Sequence, residues 1–143
     1  MSGGYALTQE IRWQYRFLNF SRAYSLLREA LETEVEELNQ LEREGVIQRF
    51  EYTFELAWQL LKDRMETDGL VISPVTPRNV IREAVSAGMV NEGGTWVDML
   101  IDRNKMAHTY NFATFESVIQ NIRGRYLSIL NDLYQRLAEE MLE

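Results

Sequence analysis

Apolar side chains return every three or four residues along almost the whole chain, and that spacing admits helices and little else. Phe17, Phe20, Tyr24, Leu27, Leu31, Val35, Leu38 and Leu41 predict one long amphipathic helix, which Gly45 interrupts. Val46, Phe50, Phe54, Ala57 and Leu61 form the stripe of a second helix that ends near Gly69. The segment "LVISPVTPRN" holds both prolines and reads as a loop, with Thr76 as an N-cap and Pro77 at the first helical position. A short helix, "RNVIREAVSA", follows and stops at Gly88. After the loop "NEGGTWVD", Thr95 and Asp98 have the spacing of a capping box that opens a helix toward His108. Ile122, Tyr126, Ile129, Leu133 and Leu137 carry the last helix to the C-terminus. No strand alternation is visible. The pattern predicts an all-α bundle with long first, second and last helices and two shorter ones between. Residues 1–10 are expected to lack order, and residues 11–143 to form one helical domain.

Several aromatic residues fall off these stripes: Trp13, Tyr15, Tyr52, Trp58, Tyr110 and Tyr134. They suit either a second apolar face used in dimerisation or the interior of a compact bundle. No apolar run approaches the roughly 20 residues that span a bilayer, so no membrane role is expected. The N-terminus has no apolar signal region and the chain has no cysteine. A cytoplasmic setting is the expectation, and disulfides and thiolate zinc sites are excluded.

Charge restricts the partners. A net charge of −7 argues against a broad nucleic-acid groove. The acid is concentrated: residues 29–44 hold seven glutamates and one arginine, Arg43. Thirteen of the fifteen basic residues are arginine, the side chain suited to forked phosphate contacts.

The stretch "RNKMAHTY", residues 103–110, carries the only histidine. Val97, Ile101, Asn104 and His108 follow one edge of the expected inner stripe, and Trp96, Leu100, Arg103, Ala107 and Tyr110 follow the other. The period holds while the chemistry changes from apolar to polar. A stripe that turns polar implies water, a ligand or a partner there, because unpaired buried polar groups cost about 1–3 kcal/mol each. The plainer reading is a basic last turn favoured by the helix dipole.

The spacing R-x4-H-x-Y resembles the motif of HEPN domains, most closely the HepT branch, also described as nucleotidyltransferase substrate-binding proteins. The blocks "IRWQYRFLNFSRAYSLLREALE", "VIQRFEYTFELAWQLLKD", "SPVTPRNVIREAVSAGMV" and "TWVDMLIDRNKMAHTYN" are similar to that branch in order and extend the likeness to nearly everything after residue 10. The resemblance implies a five-helix up-and-down bundle, a four-helix-bundle core plus one short helix, that pairs into a homodimer whose partner is a minimal nucleotidyltransferase encoded nearby. In members that act as toxins, the motif Arg and His cut RNA without metal, and the partner silences them by attaching AMP to the motif tyrosine. Residue by residue, it assigns Arg103 and His108 to catalysis and Tyr110 to modification, with Asn104 in the polar slot after the arginine. Other members serve only as nucleotide- or substrate-binding subunits, which is the alternative function.

Metal-free RNA cleavage needs a base, an acid and a cation for the charge that develops on phosphorus. One chain offers a single histidine, so a two-fold dimer that joins two motifs in one cleft supplies the missing group. No cofactor is expected. Lys105 and the pair Arg78 and Arg82, which share one face of the short helix, are further candidates for phosphate or RNA contact. Glu51 and Glu55 lie one turn apart and have cation-binding spacing, but the absence of an E-x-x-H pattern disfavours a carboxylate metal centre.

Overall fold

The computed structural model describes residues 2–108 and 111–142, with side chains from residue 7 onward. Among the described residues six α-helices follow one another: α1 (Ser2–Ala30), α2 (Gln40–Thr67), α3 (Pro77–Ser86), α4 (Gly93–His108), α5 (Phe112–Asn121) and α6 (Leu127–Met141). A π-helical turn, Ile122–Tyr126, joins α5 to α6 without a break, so the described residues form five helical rods. Among the described residues there is no strand. The all-α bundle is as the periodicity requires.

Three boundaries differ from the sequence expectation. The first helix begins at Ser2, inside the segment expected to lack order, and Gln9 is already buried. The apolar series from Phe17 to Leu41 is not one helix. It breaks after Ala30, makes a single 3-10 turn at Val35–Glu37 and restarts at Gln40. Leu31, Val35 and Leu38 stay buried through the break, so the stripe continues although the helix does not. Asn39 caps α2: its side chain accepts from the Glu42 amide at 2.8 Å, and the Glu42 carboxylate accepts from the Asn39 amide at 2.9 Å. Buried Arg43 closes the connection by donating to the carbonyls of Leu38 and Val35. Gly45 therefore lies inside a helix and ends nothing. Third, α4 starts at Gly93 and not at Thr95; Asp98 pairs with Arg125 at 2.6 Å.

The proline signal holds. The Thr76 hydroxyl accepts from the Asn79 amide, with Pro77 opening α3. Gly88 (φ 71°) supplies the left-handed residue that ends this helix, letting the Met89 amide reach the Ala84 carbonyl at 2.9 Å.

One continuous core includes Phe20 and Leu27 of α1, Phe54 and Leu61 of α2, Trp96 and Met99 of α4, and Tyr126 and Leu130 of the last rod. The off-stripe aromatics divide. Trp13 is buried beneath the Arg64 guanidinium, and Tyr134 stacks on Phe17 and Tyr24, whereas Tyr15 and Tyr52 are exposed. Among the described residues no helix is long and apolar enough to cross a membrane.

Candidate functional site

The second half of α4 carries the candidate residues, and its inner face is rotated from the one expected. Trp96, Met99, Leu100, Asp102 and Met106 are the buried positions. Ile101, Asn104, Ala107 and His108 are exposed, so the polar end of the stripe faces outward and Asp102 is the polar residue that points in. Burial of this carboxylate is matched by donors. Tyr126 Oη donates to Asp102 Oδ2 at 2.6 Å, and Asn121 Nδ2 donates to the same oxygen at 3.0 Å. Positions 121 and 126 would lie about 140° apart around an α-helix. The wider π turn between them brings both side chains onto one acceptor. Burial, then the bond to Asp102, pushes the Tyr126 phenol well above its usual range, so it remains a donor.

The next residue, Arg103, faces α2. Its side chain is about one-third exposed, and its Nη2 donates to Glu55 Oε2 at 3.3 Å while Nη1 donates to Asn104 Oδ1 at 3.3 Å. Its Nε is buried and has no hydrogen-bond partner. Glu55 also accepts from Trp58 Nε1 at 3.0 Å and Gln59 Nε2 at 3.1 Å. Glu51, one turn earlier, has its carboxyl raised by burial, against a lowering pull from Arg103. It lines a cleft of about 140 Å³ with Glu44, Ile47, Gln48, Met106 and Phe115. The two glutamates thus form the wall opposite Arg103. Glu55 is held in ion-pair and amide contacts rather than offered as half of a cation site.

His108 sits in the last turn of α4, exposed and without a partner among the described residues; Lys105, also exposed, lies 3.8 Å from Asp102. Tyr110 lies outside the described residues. Arg78 and Arg82 are placed elsewhere. They line a cavity of about 310 Å³ with Ile81, Val85, Gly93 and Val97, at the start of α4 rather than its end. Gly93 is needed there, because a Cβ at that position would come within 2.9 Å of Val85 Cγ2. The structure therefore groups Arg103, Asn104 and the glutamate wall, puts His108 at the same helix end, and separates the α3 arginines from them. Asp102 went unnoticed in the sequence, although Met99, Asp102 and Met106 have helical spacing. Glu55 was visible only as half of a carboxylate pair.

The fold is thus an all-α bundle with Arg103, Asn104 and His108 in the last two turns of α4. The family described as nucleotidyltransferase substrate binding protein like matches residues 15–139, and the chain belongs to this HepT-like family of HEPN proteins. A protein of Haemophilus influenzae, described as probable ribonuclease HepT, is 29% identical over 70 residues, 47% of this chain and 48% of the relative. The match thus spans about half the length of that curated relative. A crystal structure of a Thermus thermophilus protein shares 31% identity with a TM-score of 0.73, covering 82% of this chain and 98% of the other.

Proposed function

We propose that the chain is a metal-independent endoribonuclease, the toxin half of a toxin–antitoxin pair, with its site at Arg103, Asn104 and His108. The observation that supports it most is the disposition of Arg103: a guanidinium held on both terminal nitrogens and still one-third exposed, on the same helix end as the only histidine. The name of the Haemophilus relative points the same way. In this reading a base removes the ribose 2′-hydroxyl proton, and the 2′-oxygen bonds to phosphorus. The bond from phosphorus to the 5′-oxygen breaks, and an acid protonates that leaving oxygen. His108 transfers protons, Arg103 stabilises the charge on phosphate, and Asn104 orients the guanidinium. A homodimer brings two copies of His108 to one cleft, so that base and acid are both histidine. A minimal nucleotidyltransferase is the partner, and Tyr110 is its AMP acceptor. AMP there places an anion against Arg103 and denies RNA the same contact.

His108→Ala and Arg103→Ala then abolish cleavage with the fold and dimer intact. Tyr110→Phe keeps substantial cleavage but escapes silencing by the nucleotidyltransferase with ATP. Products carry 2′,3′-cyclic phosphate ends, and EDTA has no effect. Cleavage that survives His108→Ala refutes the assignment. Failure of the folded dimer to cleave any RNA favours the second reading, a nucleotide- or substrate-binding subunit, which the family description supports.

A further inference from the structure

Arg103 is not held by Glu55 alone. Three donors converge on that carboxylate: Arg103 Nη2 and Trp58 Nε1 on Oε2, and Gln59 Nε2 on Oε1. The Gln59 carbonyl in turn accepts from Arg16 Nη1, and Arg16 Nε donates to Asp63 Oδ2 at 2.9 Å. Asp63 is buried, with its side chain 2% exposed. A chain of hydrogen bonds therefore runs from a buried carboxylate between α1 and α2, through Gln59 and Glu55, to the guanidinium on α4. Trp58, packed against the core, fixes the second oxygen of the same link.

The arrangement leaves part of Arg103 unused. A guanidinium has five N–H groups. One on Nη1 goes to Asn104 and one on Nη2 to Glu55; the Nε donor is buried without a partner. Among the described residues, one N–H on each terminal nitrogen has no partner and is left for a phosphate. A free arginine would lose much rotamer freedom on meeting phosphate, and this one has already lost it.

We propose that Glu55 is a positioning residue for Arg103, the end of a relay from Asp63 through Arg16 and Gln59 that presents the guanidinium to phosphate. The assignment rests on reading the α4 end as the RNA-cleaving site. Its test separates the two. Glu55→Ala is compared with the unaltered protein by nitrogen-15 NMR of the Arg103 guanidinium, identified through Arg103→Lys, and by cleavage kinetics on a short RNA. Rotation about the Arg103 Nε–Cζ bond is expected to quicken in Glu55→Ala. The kcat is expected to fall by about a hundredfold, the scale of misplacing a reacting group by an ångström, with little change in KM. In an Arg103→Lys chain, which keeps charge but has no fork to orient, the same Glu55→Ala change costs several-fold less. Glu55→Gln, which keeps a carbonyl acceptor, restores part of the rate. Unchanged guanidinium rotation overturns the proposal, and so does a hundredfold loss that persists in full when Glu55→Ala is combined with Arg103→Lys. If the unaltered protein cleaves no RNA, the cleavage reading fails, and the rotation measurement alone decides the tether.

Discussion

Tyr126→Phe isolates one hydrogen bond at the base of the candidate site. The ring stacks on Phe50 with centroids 5.7 Å apart, and phenylalanine keeps that contact, so the hydroxyl alone is removed. The hydroxyl donates at 2.6 Å to a carboxylate whose residue is 6% exposed. A hydrogen bond to a charged group is worth about 1.5–3 kcal/mol. Asn121 still donates to the same Asp102 oxygen after the change, which places the expected loss near the middle of that range, about 2 kcal/mol. For a chain of this length such a loss lowers Tm by roughly 6–8 °C. Calorimetry and urea unfolding with an unchanged m-value measure it. A double-mutant cycle with Asp102→Asn should give a coupling of at least about 1 kcal/mol, as for groups sharing one buried contact. A Tyr126→Phe protein that melts within about 1 °C of the original would refute the argument that this bond anchors α4 to the last rod.

Glu51 is raised above its ordinary value by burial, so the native state binds its proton more tightly than the unfolded chain does, and stability falls as pH rises through the interval above 4.5. Glu51→Gln should therefore raise Tm at pH 7, with the gain shrinking toward pH 4.5; a pH-independent difference contradicts the burial account. Asn39→Ala should cost about 0.5–2 kcal/mol in chemical unfolding through loss of the α2 cap, and no cost at all would show that the capping box contributes nothing. Light scattering at micromolar concentration should give a dimer, and a 16.8 kDa species alone would exclude the shared cleft. RNA binding should weaken with salt at a slope of about −0.7 per phosphate neutralised on single strands, with few phosphates counted. Arg78→Ala with Arg82→Ala should leave that slope unchanged, because both line the cavity at the start of α4 and not its end, and a steep slope characteristic of a broad basic groove would contradict a local site.

Helix existence was legible throughout because burial and the 3.6-residue period act on the same residues. Boundaries were legible where a single residue type enforces them, as at Thr76–Pro77 and Gly88. The break after Ala30 was hidden because Leu31, Val35 and Leu38 remain buried in a non-helical connection. Its signature was the N-x-x-E cap at Asn39 and Glu42, masked by the surrounding run of glutamates. In α4 the helix itself was plain, but its facing was not. Asp102 reads as polar and outward until its donors, Tyr126 and Asn121, are known, and those come from a different rod. The tie between Arg103 and Glu55 spans 48 residues of sequence, and no local pattern announces it.

The π turn also has a consequence for the last rod as a whole. Phe115, Val118, Ile119, Ile122, Tyr126, Ile129, Leu130, Leu133 and Leu137 keep an unbroken three-and-four spacing, which on a uniform α-helix would be one straight stripe. The turn adds the equivalent of one residue to the winding, a phase shift of about 100°. The lower half of the stripe is thereby handed from one neighbour to another: α5 packs on α2, and α6 packs on α1. Deleting Gly124, an exposed position within the turn with open space around it, would return the rod to a single phase. Both α5 and α6 would then keep the faces they show to α2 and α1, because the deleted residue is the one the wide turn absorbs; winding the full sequence as a uniform α-helix would instead turn one of them about 100° away from its neighbour.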